Sequence, residues 1–380
     1  MRENKLHILF LTSWYPSRVF PTNGNFVQKH AEAIALNHKV TVIYPVGDSK
    51  KTKNNYEITD KTTHNVRDIV IYFKKHPIAI VNAYRKYKAL KKGMKLIDNF
   101  DIIHANVLFP IGILVLFIHK KYGKPYIFTE HWTGYLHPVK AKIHFFKKLL
   151  LKLIVQKAAF IVPVSKTLKS AMQKFGLKGN YKIIGNAIDT SLFSPKKNDT
   201  PIFTILHVSY LTNDHKNIKG LLRTIKELSK KRSDFIFKII GDGDLNAVKE
   251  YVNDLQIPSK NIDLKGPKEP SEIAKSMQEA NLYISFSNYE TFGVVLIEAL
   301  ATHTPVISTN TGVLTEYNTG NFCTITPMKD EKKLLFHIEN YMDNKCSTNY
   351  KEMRDFAISN FSYEAIATQY SELYNKALFN

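Results

Sequence analysis

Residues Ser285–Gly312 read SFSNYETFGVVLIEALATHTPVISTNTG, and their reading decides the fold. The run begins as an apolar strand, crosses a polar loop, turns helical near Phe292 and Gly293, and ends in a second strand at Pro305–Ser308. Strand, loop, helix and strand in that order make the repeating unit of a parallel sheet. Glu290 stands in the loop and Glu298 follows one to two turns into the helix. At ~100° per residue the two positions are offset by only ~80°, so both can face one ligand. The amides of Phe292, Gly293, Val294 and Val295 are the unsatisfied donors at the helix start, which suits a diphosphate. A carboxylate beside the phosphates suits sugar hydroxyls, and one deeper in the helix suits a ribose diol. Without this context the two glutamates would read as helix-start charge and a surface position.

The same rhythm extends outward in both directions. In the first half, strands are expected at Leu6–Leu11, Val40–Tyr44, Asp101–Ala105, Pro125–Thr129, Ile161–Val164 and Lys182–Ile184. Helices are expected at Asn25–Leu36, Ile78–Ile97, Ile111–Tyr122 and Thr167–Phe175. The second half repeats it, with strands Phe203–Val208, Phe235–Ile240, Leu282–Ser285 and Pro305–Ser308. Its helices are Ile218–Lys231, Asn246–Leu255, Ser271–Glu279 and Phe292–Ala301. The expected class is α/β, with parallel sheets covered by helices on both faces. A chain of 380 residues fits two such domains, at ~100–200 residues each. The polar stretch Asp189–Pro201 reads as the join. The boundaries are therefore placed at 1–195 and 196–360, with 361–380 as a terminal helix.

Composition narrows the function. Apolar residues make up 44% and charged residues 23%, a soluble globular balance. Cys323 and Cys346 are the only cysteines, which leaves no disulfide framework and points to a reducing cytoplasm. Leu6–Leu11 reads as a buried strand rather than an export signal. Val107–Ile118 falls short of the ~20 apolar residues that cross a bilayer.

The net charge of +21 lies entirely in the first half: residues 1–195 hold 32 basic and 10 acidic residues. Between Glu130 and Asp189 eleven lysines occur and no acid. Lys140–Lys157 interleaves lysines with Phe145, Phe146, Leu149, Leu150 and Ile154. Such a basic amphipathic helix suits an anionic membrane surface. Nucleic acid is not expected as a partner, because aromatic-interleaved RNA motifs and zinc-finger spacings are absent.

The pattern E-x-F-G-x(4)-E-A-x-A-x(3)-P-V, from Glu290 to Val306, resembles the donor-site signature of retaining GT-B glycosyltransferases of the family-4 type. Further segments are similar to that family in its chain order. They are the Ser13–Val27 loop with Gly24, Asp101–Asn106, Thr129–His131, GNAID at Gly185–Asp189, and His207–Leu222. Ile239–Gly243 and Phe361–Tyr374 complete the series. The resemblance implies two Rossmann-like domains facing across a cleft, with a C-terminal helix crossing back to the first. It implies a retaining hexosyl transfer from a nucleotide diphosphate sugar, UDP ahead of GDP, without a metal ion or other cofactor. By position, Glu290 would contact the donor sugar, the amides of Phe292–Val295 the diphosphate, and Glu298 the ribose. Lys216 would neutralise the leaving group, Gly24 would let the backbone approach the phosphates, and His131 would sit at the reacting sugar.

Tyr210 stands where the family often has arginine, Asn106 where histidine is frequent, and Val313 where a second glycine is common. The chain has no D-x-D triplet, and Gly241-Asp242-Gly243 is not a dinucleotide fingerprint. Combined with the charge, the expectation is a peripheral enzyme on the cytoplasmic face of a membrane, with a lipid-linked or surface-polysaccharide acceptor. A nucleotide-sugar epimerase of similar fold and a basic nucleic-acid-binding protein are the alternatives.

Overall fold

The computed structural model describes residues 5–49, 55–136, 139, 143–196, 202–317, 319–320 and 322–379. The chain divides into two compact units. Met1–Ala187 together with Tyr363–Asn380 form one, and Ile188–Ser362 form the other.

The first unit holds seven strands: β1 His7–Thr12, β2 Lys39–Asp48, β3 Tyr56–Thr63, β4 Val66–Lys74, β5 Ile102–Asn106, β6 Tyr126–Glu130 and β7 Phe160–Pro163. Their order in the sheet is β3-β4-β2-β1-β5-β6-β7. β1 pairs with β2 on one side and β5 on the other, so the winding reverses between β1 and β5. In sheets of this type the carboxyl ends of those two strands frame the ligand crevice. In the apolar core Ile8, Phe10, Val42, Tyr44 and Ile102 pack with Ile366, Tyr370, Leu373 and Tyr374 of the terminal helix Tyr363–Phe379. That helix lies on helix Asn25–Ile34, and Tyr363 donates to Glu32 across the contact.

Two expectations for this unit fail. Lys182–Ile184 is not a strand; Tyr181 makes a single bridge to Ile161. β7 ends at Pro163, whose nitrogen offers no donor with which to lengthen the ladder. The sheet is also not wholly parallel, because β3 and β4 form an antiparallel hairpin at its edge. The hairpin turns at His64 and Asn65, both with left-handed φ, and β3 reads YEITDKTT with no apolar face. Neither feature gives a strong strand signal from sequence.

The second unit holds β8 Phe203–Leu211, β9 Phe235–Gly243, β10 Ile262–Lys265, β11 Leu282–Ser285, β12 Val306–Thr309 and β13 Cys323–Thr326, in the order β10-β9-β8-β11-β12-β13. All pairs are parallel. β8 lies between β9 and β11, so here the winding reverses between β8 and β11. Helix Ile218–Lys231 shows why the sequence folds this way: Ile218, Leu221, Leu222, Ile225 and Leu228 recur at helical spacing and are buried against Ile205, Phe237 and Ile284. β10 and β13 are short four-residue strands missed by the apolar-run reading, as are helices Glu331–Met342 and Tyr350–Phe361. One helix ends at Phe361 and the next opens at Tyr363, with Ser362 extended between them.

Candidate active site

The strongest arrangement of charge in the second unit sits at its switch point. The chain leaving β8 makes the single helical turn Asn213–Lys216, and the chain leaving β11 makes the loop to Glu290. Two hydrogen bonds zip these segments together: the Asn288 amide donates to the His215 carbonyl at 2.8 Å, and Asn288 Nδ2 donates to the Asp214 carbonyl at 3.0 Å. The loop is fixed from below as well, since Thr309 Oγ1 donates to the Ser287 carbonyl at 2.7 Å. His207, inside β8, donates its Nδ1–H to the Ile284 carbonyl (2.8 Å), its Nε2 lies 2.7 Å from Ser209 Oγ, and burial lowers its pKa to about 4.

Glu290 is buried and collects three partners. Lys216 Nζ lies 2.5 Å from Oε1, Ser287 Oγ donates to the same oxygen at 2.8 Å, and His215 Nε2 stands 3.4 Å from Oε2. Burial alone would push this carboxyl up. The charge of Lys216, followed by His215, outweighs burial and holds it well below the usual carboxylate range. The site therefore carries an anion and a cation side by side.

Helix Val294–Ala301 opens immediately after, with Gly293 as its N-cap. The helix starts one to two residues later than the sequence indicated. The amide of Leu296 is already engaged by the Gly293 carbonyl, so the first-turn donors nearest the helix start are those of Val294 and Val295. Glu298 is buried on this helix. The Tyr283 phenol, which donates to the Val208 carbonyl, is pushed up by burial first and then by the charges of Glu290 and Glu298. Gly312 supports the loop from behind. Its φ is +68°, and a Cβ there would lie 2.5 Å from the Phe292 carbonyl oxygen and 3.0 Å from the Glu290 Cβ. Val313, one residue on, needs no such freedom and simply donates to Phe292 O. Tyr210, at the end of β8, is exposed.

In the first unit the corresponding crevice is built by Ser13, which donates to Val107 O and accepts from the Ile111 amide. Gly24 has a φ of +78°, and a Cβ would meet the Trp14 carbonyl carbon and oxygen at 2.5 and 2.6 Å. Only glycine fits where this loop doubles back to start helix Asn25–Ile34. His131 follows β6 and is buried, its ring 4.5 Å from Phe26 and 5.4 Å from His30. Its Nε2 lies 3.4 Å from Asn106 Oδ1. Burial, reinforced by His30 and His104, holds it well below the ordinary histidine value, so the ring is neutral at pH 7. Glu130 is the organiser here. Its carboxylate accepts from the amides of Leu108 (3.0 Å), His131 (2.8 Å) and Trp132 (2.9 Å), tying the β5 exit to the β6 exit.

The structure thus joins Lys216 to Glu290, sets Glu298 on the following helix, and places Gly24 and His131 in the first unit. Three participants escaped the sequence reading: Ser287, His215 and Glu130. No spacing rule singles them out, because each acts through a contact made in space.

The two halves match two known families in succession: residues 25–192 match Glycosyltransferase Family 4 and residues 187–360 match Glycosyl transferases group 1. Among solved structures, a sucrose-phosphate synthase from Thermosynechococcus elongatus superposes with a TM-score of 0.79 at 18% identity, over 98% of this chain and 99% of that one. Anabaena HepE in complex with UDP and glucose gives 0.74 at 17%, over 97% and 99%. These likenesses establish the fold. Among curated relatives, the alpha-monoglucosyldiacylglycerol synthase of Streptococcus pneumoniae is 25% identical over 58% of this chain and 55% of its own length. The chain spans 62% and 55% of the first two curated relatives it matches. Two doubly wound units of this kind, with these structural likenesses, define the GT-B fold. The chain belongs to the glycosyltransferase group 1, family-4 type by its family matches.

Proposed function

We propose that this chain is a metal-independent, retaining hexosyltransferase that takes a nucleotide diphosphate sugar, a UDP-sugar ahead of a GDP-sugar, as its donor. The observation that carries this reading is the Lys216–Glu290 pair at the switch point of the second sheet, directly before the helix that bears Glu298. Glu290 holds the donor sugar, Glu298 the ribose diol, and Lys216 with the amides of Phe292–Val295 the diphosphate. Gly24 admits the backbone to the phosphates, and His131 meets the outer hydroxyl of the reacting sugar. The anomeric carbon exchanges its bond to the diphosphate oxygen for one to the acceptor oxygen, and the acceptor proton passes to the departing diphosphate. The growing charge on that group is stabilised by oriented amides and a lysine, which is the role a metal ion would otherwise fill.

The acceptor is a lipid-linked or surface-polysaccharide chain, taken at the cytoplasmic face of an anionic membrane. Helix Phe145–Lys157 supports this. It buries Leu151, Ile154 and Val155 yet leaves a second apolar stripe, Phe145, Phe146, Leu149 and Leu153, in solvent, with Phe146 75% exposed. Gly112 lets helix Leu108–Tyr122 approach closely at Ile154, and that helix exposes its own stripe of Phe109, Ile113 and Phe117. Lys147 lies 3.6 Å over the Phe109 ring. An apolar surface of this extent with lysines at its edges suits acyl chains beneath anionic headgroups. Lys140 and Lys142, counted in this helix from sequence, lie outside the described residues. Among the described residues no helix is long and apolar enough to cross a membrane.

A thermal-shift panel of UDP, GDP, ADP and their sugar conjugates, with and without EDTA, tests the donor reading. At 100 times its dissociation constant a ligand stabilises the fold by about 2.7 kcal/mol. The expected result is a shift with UDP and UDP-sugars that survives EDTA and is lost in Glu298→Ala. No shift with any nucleotide, or one abolished by EDTA, overturns it.

A further inference from the structure

Glu290 is flanked by two nitrogen-bearing side chains of very different mobility. Lys216 reaches Oε1 at the end of a flexible four-carbon stem. His215 is fixed twice over: its carbonyl accepts from the Asn288 amide, and its ring stacks on Tyr289 with centroids 4.4 Å apart and planes within 4°. Both anchors are the residues immediately before Glu290, so the imidazole travels with the loop that carries the carboxylate. Its Nε2 is buried, makes no hydrogen bond, and stands 3.4 Å from Oε2. A small movement of the carboxylate would close that gap.

This arrangement resolves a conflict within the proposed function, on which the inference rests. If Lys216 neutralises the leaving diphosphate, it cannot also remain the close partner of Glu290. Withdrawing it leaves a buried carboxylate with Ser287 alone, and an uncompensated buried charge is costly. We propose that His215 is a positioning residue that takes over the Glu290 carboxylate as Lys216 turns to the diphosphate. The stack on Tyr289 holds the ring in place for that exchange. His215 donates its Nε2–H to Oε2, Glu290 stays aimed at the sugar, and Lys216 is free to follow the charge that develops on the phosphate.

The test is a double-mutant cycle on nucleotide affinity, read by isothermal titration of the full chain with UDP at pH 8 and fixed ionic strength. His215→Phe keeps a ring against Tyr289 and removes the donor. It should weaken UDP binding by about tenfold, the loss of one hydrogen bond to a charged group. In a Glu290→Gln background Lys216 has no carboxylate to abandon, so adding His215→Phe should cost less than twofold. His215→Gln, which restores a side-chain donor, should recover most of the affinity, and Tyr289→Phe, which keeps the stack, should change it little. An equal loss in both backgrounds, or no loss in either, overturns the inference. If His215→Phe melts early, His215→Leu and Tyr289→Ala carry the same cycle. Failure of the wild type to bind any nucleotide is a different result: it removes the proposed function itself, whatever the variants do.

Discussion

The two units share a winding and differ in where they keep their charge. In the second, basic residues are matched on the surface: Arg223 with Glu331, Lys231 with Glu339, Arg232 with Asp234 and Asp343. At the switch point Lys216 pairs with the buried Glu290. In the first unit the lysines of helices Ala79–Met94 and Phe145–Lys157 have no acidic partner among the described residues, and the interior instead buries the neutral histidines His30, His104 and His131. One scaffold has thus been given two electrostatic designs. A fixed internal dipole of charge suits a small anionic ligand, whereas unpaired surface charge suits an extended anionic surface.

The largest effect that would break this contrast is on the internal pair. Glu290→Gln keeps the shape of the side chain but removes the anion, and should lower kcat/KM for the donor found in the nucleotide panel by ~10²–10³. A normal rate in this variant, measured as glycosyl transfer with the fold checked by melting, would move the chemistry away from the second sheet.

Acid should separate the units next. His30, hydrogen-bonded to the Tyr370 hydroxyl at 3.3 Å, has its pKa lowered to about 4 by burial, and burial holds His104 and His131 well below 6.5. With the folded value below the unfolded one, the unfolded chain takes up protons first as pH falls. Stability is therefore full above pH 6.5 and is lost as pH falls from 6.5 towards 4, by up to about 3 kcal/mol for His30 alone. In the second unit His207 has this character too, and Glu290, depressed by Lys216, loses its contribution only below the usual carboxylate range near pH 4.5. Hydrogen exchange at pH 7 and pH 5 should show the first unit opening more than the second. Equal opening would remove the distinction.

The smallest effect sharpens the other half of the comparison. Phe145→Ser with Phe146→Ser and Leu149→Ser should lower co-sedimentation with anionic vesicles by roughly tenfold or more, each buried apolar side chain being worth ~1.5–3 kcal/mol at most. Nucleotide affinity should be unchanged. Equal binding of the wild type to neutral and anionic vesicles at low salt would count against a membrane role for the unpaired lysines.

Much of this was legible before any coordinates. The alternation of apolar runs with helical patterns predicts two doubly wound sheets, and the Glu290–Val306 spacing marks a strand–loop–helix unit at the end of a strand. What could not be read was whatever depends on edges and short elements. β3 lacks an apolar face and turns through His64-Asn65 rather than a glycine turn. β10 and β13 have four residues each, too few for a period to register. At the crevices, Gly24 and Gly312 were visible as glycines, but the backbone atoms that exclude a Cβ were not.

By itself the sequence determined the fold class, the charge asymmetry and the placing of Glu290 and Glu298 in one loop–helix segment, because periodicity, composition and spacing are properties of the chain in order. Only the tertiary structure decided that Lys216, some seventy residues upstream of Glu290, would be its partner, and that His215 and Tyr289 would stack beside it. Likewise only the fold ties Tyr370 and Tyr374 to Thr129 and His104 inside the first sheet. The reason is physical: contacts across a parallel sheet are set by the order in which its strands are wound, and that order is fixed when the helices between them find their common core.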